Sequence, residues 1–92
     1  MDNNNILVLV KARLGITTTV RDTYLSAIVS SIIKELTDEK GIVLEDDNPN
    51  HQMFIVDYAT WRYENRGADR VPRHLQYRLH NLIIHNRGVK NE

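Results

Sequence analysis

Cysteine is missing from the 92-residue chain, which excludes a disulfide framework and any thiolate metal site and fits a reducing compartment. A long apolar run is missing too. The one apolar stretch near the start, Ile6 to Val10, falls far short of the roughly 20 residues that span a bilayer. No basic segment precedes it in MDNNNILVLVKARLG, so a soluble, unexported chain is expected. Net charge is zero, from 12 Lys and Arg against 12 Asp and Glu, which removes any global drive toward nucleic acid or an anionic membrane. With only two prolines and four glycines, and no repeats, low-complexity tracts or linkers, residues 1–92 read as one domain with a modest core.

What is present is concentrated between Met53 and Asn86, which hold the only Trp and three of the four Tyr. Phe54, Tyr58 and Trp61 recur at i, i+4, i+7, while Met53, Ile55, Val56 and Ala59 carry apolar character around the rest of the circumference. A helix apolar on several sides needs neighbours on several sides, so this is expected to be the central helix. Leu75, Leu79, Leu82 and Ile83 make a single stripe for a following surface helix. Between them, Gly67 stands where a left-handed cap belongs, Arg62 and Arg66 favour the helix end, and Pro72 suits a first turn. The pair is expected to form an antiparallel hairpin.

Upstream, residues 3–14 read as a first helix capped by Asn3, Asn4 or Asn5 and stopped by Gly15. A second helix is expected from about Val20 to Lys40, with Thr19 and Asp22 as a box-like start and Gly41 as its end. Its apolar positions are Leu25, Ile28, Val29, Ile32, Ile33 and Leu36. Residues 42–50 read either as a short extended β arm or as an irregular, variable loop, with Asn48 capping and Pro49 starting the central helix. Residues 87–92 read as a frayed polar tail. The fold class is therefore all-α, a small bundle of about four helices.

Charge is unevenly placed. Residues 1–61 carry five Lys and Arg against nine Asp and Glu, while residues 62–92 carry seven against three. Such polarity suits head-to-tail packing of identical subunits, in which unlike faces meet.

Catalytic chemistry finds no footing. No Ser sits in a strained Gly-rich elbow beside a base, so a nucleophilic centre is not expected. His51, His74, His80 and His85 include no i, i+4 pair for a metal. Glu45, Asp46 and Asp47 lack the spaced ligands and glycine of a calcium loop, and read as a solvated turn. Arg73, Gln76, Tyr77, Arg78, His80 and Asn81 on the last helix resemble a recognition-helix layout, but the preceding loop is long for that motif and the net charge is not basic. Tyr58, Trp61 and Tyr63 read as core and packing. Asp57 among them needs a partner, and an Arg of the last helix such as Arg78 would clamp the hairpin.

The stretch WRYENRGADRVPRHLQYRLHNLI resembles the small head–tail connector (adaptor) proteins of tailed bacteriophages. The residues that carry the likeness are Trp61, Tyr63, Glu64, Asn65, Arg66, Pro72, Leu75, Tyr77, Arg78 and Leu79. The order of elements over residues 5–85 agrees, including a long amphipathic helix beginning near Asp22 and a variable loop after it. Ser30, Ser31, Lys34 and Leu36 depart from the Ala-rich turns and acidic or aromatic ending common in the family.

The resemblance implies a structural virion protein, not an enzyme and without a cofactor, that forms an oligomeric ring under the portal and extends the DNA channel. The implied partners are further copies of the chain, the portal protein, a stopper or tail-completion protein, and DNA passing through without sequence-specific readout. The implied location is the head–tail interface of the virion, after assembly in the bacterial host cytoplasm. On this reading Tyr58, Trp61, Leu79 and Asp57 hold the bundle. Arg62, Arg66, Arg70 and Arg73 are candidate contacts to a neighbouring subunit, portal or DNA, and Glu45, Asp46 and Asp47 are their complement. The alternatives are a small helical DNA-binding or regulatory module of a prophage, and a generic interaction bundle.

Overall fold

The computed structural model describes residues 2–45, 47–67 and 70–90, with backbone only for 86–90. Four α-helices follow one another: α1 (Asn3–Leu14), α2 (Asp22–Lys34), α3 (Pro49–Glu64) and α4 (Arg73–Lys90). No strand occurs among the described residues. The all-α class and the number of helices are as expected from the apolar periodicity.

Cap chemistry explains most of the boundaries. α1 is capped by Asp2 rather than by Asn3, Asn4 or Asn5, its carboxylate accepting from the Asn4 and Asn5 N–H groups at 3.0 and 3.4 Å. A charged acceptor also suits the positive end of the helix. Gly15, at φ 74°, ends α1 in the left-handed region, where the Ile16 N–H returns to the Lys11 carbonyl. Asn48 caps α3 through its side chain, bonding the N–H groups of Asn50 and His51, and Pro49 opens the helix. Asn48→Ala should cost about 1 kcal/mol. The melting temperature should then fall by about 4–8 °C, and circular dichroism through a thermal ramp measures it.

The start of α2 corrects the sequence reading. Thr19 accepts the Asp22 N–H with its backbone carbonyl, and Arg21 occupies the cap position without a side-chain bond to the helix end. Asp22 is the first helical residue and pairs with Lys11 of α1 at 2.7 Å. A tertiary ion pair thus takes the carboxylate that the expected box would have used.

The far end of α2 differs as well. From Glu35 to Glu39 the chain widens into a π turn, in which the Lys40 N–H reaches back to the Glu35 carbonyl. The Thr37 hydroxyl takes the Ile33 carbonyl at 2.9 Å, and such back-bonding competes with regular helix. The wider turn lets both Leu36 and Ile42 enter the core. Residues 41–45 are irregular, so the β arm considered for 42–50 is not formed among the described residues; Ile42 is held instead through its N–H to the Leu36 carbonyl.

The helices alternate in direction. Asn3 meets Ser30 and Lys11 meets Asp22, so α1 and α2 are antiparallel. Arg21 bonds Tyr63 and Glu35 meets Tyr58, so α2 and α3 are antiparallel. Met53 shares a depression with Leu82 and His85, whereas Glu64 shares one with His74, so α3 and α4 form the expected hairpin. α3 is central: it packs on α1, α2 and α4 and buries Phe54, Ile55, Val56, Tyr58, Ala59 and Thr60. Among the described residues α4 packs closely on α3 alone, with Leu75 buried and Leu79, Leu82 and Ile83 half-buried. Its helical backbone continues to Lys90, past the Arg87 at which a frayed tail was expected. No helix among the described residues is long and apolar enough to cross a membrane.

Candidate functional site

The charged side chains singled out in the sequence fall into two groups, those tied into the fold and those left facing solvent. Asp57 belongs to the first. Arg78 of α4 donates to its Oδ2 at 2.7 Å, as expected from the sequence, and Arg13 of α1 donates to its Oδ1 at 2.5 Å. Burial pushes the Asp57 carboxyl upward, but the hydrogen bonds from Arg78 and Arg13, together with their charge, outweigh it and hold it below the ordinary carboxylate value. One carboxylate on the central helix therefore joins three helices.

Arg62 is also spent internally. Its guanidinium lies 4.8 Å from the Tyr58 ring centre and donates to the Tyr58 hydroxyl at 2.9 Å, to Ser31 at 3.2 Å and to Glu35 at 3.4 Å. Burial raises the Tyr58 phenol above its ordinary value, and the Glu35 carboxylate adds to this against the opposing Arg62 charge. The phenol stays protonated and donates to Glu35 Oε2. Tyr58 is buried and Trp61 and Leu79 half-buried in or against the core. The rings of Phe54, Tyr58 and Trp61 follow one another at 5.7 and 6.4 Å along α3.

The end of α3 holds the second group. Asn65 closes the helix, its backbone N–H and its side-chain amide both donating to the Trp61 carbonyl at 2.9 Å. Gly67, the residue expected to cap, carries its positive φ of 95° two positions further on. Arg66 lies 4.7 Å from the Tyr63 ring centre and donates to the Tyr63 carbonyl, while Arg21 approaches the same ring at 5.8 Å. Arg70 and Arg73 are exposed.

The acidic complement sits before α3. Glu45 and Asp47 are exposed, and the Glu45 N–H donates to His51 Nδ1 at 3.1 Å. Asp46 lies outside the described residues. Sixteen residues of α3, about 24 Å at 1.5 Å each, separate these acids from Arg66, Arg70 and Arg73. The separation holds for these residues and not for every charge, because Glu64 is exposed at the arginine end of α3.

The recognition-helix set on α4 is divided by the same contacts. Arg73, Gln76, Tyr77 and His80 are exposed, but Arg78 is held by Asp57 and lies 5.4 Å from the Phe54 ring. Among the described residues no group of three His, Cys, Asp or Glu side chains is arranged to hold a metal ion.

Sequence reasoning missed three partners: Arg13 for Asp57, Glu35 for Arg62, and Tyr24 for Tyr63, whose rings stand 6.0 Å apart. The first pair is 44 residues apart and the second 27. Periodicity along one helix carries no signal for either. Compared with known proteins, the chain matches no family model, and no curated protein or solved structure proves similar to it.

Proposed function

We propose that the chain is a structural virion protein of the head–tail connector type, in which copies pack head to tail in a ring beneath the portal. What supports this reading is the placement of exposed Glu45 and Asp47 before α3 and of exposed Arg70 and Arg73 after it. Glu45 and Asp47 of one copy meet Arg70 and Arg73 of the next, and a repeated head-to-tail contact closes a ring when its rotation allows. Charge polarity of this kind also sets the orientation in which copies meet. The ring then offers its faces to the portal and to a stopper or tail-completion protein, and its lumen to DNA.

Deletion of the gene from the phage or prophage that carries it, with electron microscopy of the lysate, tests the reading. DNA-filled or leaking heads beside finished tails are expected. Normal virions, or a change confined to gene expression, would overturn it in favour of a small DNA-binding module. Complementation then maps the contact. The Arg70→Glu, Arg73→Glu double variant should yield no joined particles while keeping its helical circular dichroism, because both side chains are exposed. Adding Glu45→Lys and Asp47→Lys should restore joining by reversing both partners. Unfolding of the double variant would mean that these arginines belong to the bundle.

A further inference from the structure

Beside the exposed arginines, where α2 begins and α3 ends, lies a groove of about 400 Å3. Its walls include Tyr24, Trp61, Arg62, Arg66 and Arg70, and no carboxylate among the described residues. That size lies within the usual range of small-ligand clefts, about 300–1,000 Å3. Arg62 is neutralised by Glu35. Arg66 is held in place by the Tyr63 carbonyl and ring, and Arg70 is exposed. Each planar guanidinium spends few of its five donors there, so the rest remain for an anion. Tyr24 is 47% exposed, and Trp61 is half-buried.

We propose that this groove binds single-stranded nucleic acid, with bases stacked on Tyr24 and Trp61 and phosphates held by Arg66 and Arg70. Arginines beside partly exposed aromatic rings are the combination that tracks a strand without reading its sequence. Arginine alone would suit any anion. The aromatic faces favour an unpaired base, because a duplex keeps its base faces stacked inside and presents only edges and phosphates. The site is distinct from the outer face of α4, but it shares Arg70 with the proposed contact between copies, so its binding is read on the unassembled chain.

Trp61 is the only Trp in the chain, so its fluorescence reports on the groove directly. The full chain is titrated with a short oligothymidylate at low salt, with the matching duplex and with polyglutamate in parallel. Saturable quenching by the single strand is expected. Its log affinity should fall against log salt with a slope of about −1.4 to −2.1, for two or three phosphates at about 0.7 each. Tyr24→Ala and Arg66→Ala should each weaken binding about tenfold. Tyr24→Phe, which keeps the ring, should bind as the parent chain does, and so should Lys34→Ala, which removes an exposed charge elsewhere on α2. Circular dichroism of each variant separates lost binding from lost folding.

Absence of quenching would overturn the proposal, as would a tighter complex with the duplex. Equal binding of polyglutamate would overturn it as well, making the groove a seat for acidic protein segments. None of these outcomes bears on the deletion phenotype, so the two readings fail separately.

Discussion

Phe54→Ala is expected to destabilise the fold by about 3–5 kcal/mol, the range for emptying a buried phenylalanine site. A chain of 92 residues holds only about 5–14 kcal/mol in total, so this one change removes a large part of its stability. Phe54 is 1% exposed. Its ring lies 5.7 Å from Tyr58, and the Arg78 guanidinium stands 5.4 Å from its centre. It shares one depression with Leu75 and Leu79 and another with Leu82. Removing the ring therefore empties the seat of α4, the helix that among the described residues packs closely on α3 alone. Urea titration followed by circular dichroism should show the midpoint falling accordingly. Phe54→Leu, which fills much of the space, should cost about 1–2 kcal/mol. Hydrogen exchange should show the amides of α4 losing protection before those of α3, because local opening follows the weakest packing. Equal loss throughout would mean that α4 is bound into the core more firmly than its contacts indicate.

Asp57→Ala is expected to cost about 2 kcal/mol, the worth of a charge-assisted hydrogen bond to Arg78 with a smaller addition from Arg13. The two arginines are unequal. The Arg13 side chain is 52% exposed and that of Arg78 37%, so Arg13→Ala should cost no more than about 0.5 kcal/mol. Loss of Asp57 should lower the melting temperature by about 8–16 °C, and an unchanged value would rule out the clamp.

The pH dependence adds an independent check. The folded carboxyl is held below its ordinary value, so the unfolded chain binds the proton more readily. The stabilisation is fully present above the unfolded value, about 3.9, and is lost as pH falls through the folded one. Melting curves of the parent and Asp57→Asn should therefore stay a constant distance apart from about pH 5 to 8 and converge below about pH 4. A gap that persists into strong acid would mean that Asp57 acts through packing and not through its charge.

The two effects differ in kind. Phe54 secures the hairpin by excluding water, and its contribution should change little with pH or salt. Asp57 ties the same hairpin to α1 by charge, and part of its contribution should be screened as salt rises. Measuring both variants at low and high ionic strength would separate the two supports of α4.

Features written within one turn of helix were legible from the residues in order. Of the stripe Leu25, Ile28, Val29, Ile32, Ile33 and Leu36, all but the half-buried Ile33 are buried, Gly15 stops α1, and Asn48 with Pro49 starts α3. These follow from the 3.6-residue period and from cap chemistry, which depend on neighbours in the chain. A run of polar residues blurs even such local signals: Asp2, Asn3, Asn4 and Asn5 are all able caps, and only the structure selects Asp2.

Features that depend on residues far apart in the chain came from helix packing. It drew Asp22 away from its own helix end to Lys11, widened the end of α2 so that Leu36 and Ile42 both enter the core, and gave Asp57 a second arginine. It also divided the arginines around the loop, turning Arg62 inward to Glu35 and Tyr58 while leaving Arg70 and Arg73 exposed. Composition treats those side chains as equivalent. What separates them is whether the fold brings a carboxylate within reach, and that distance is set by how the helices pack against one another.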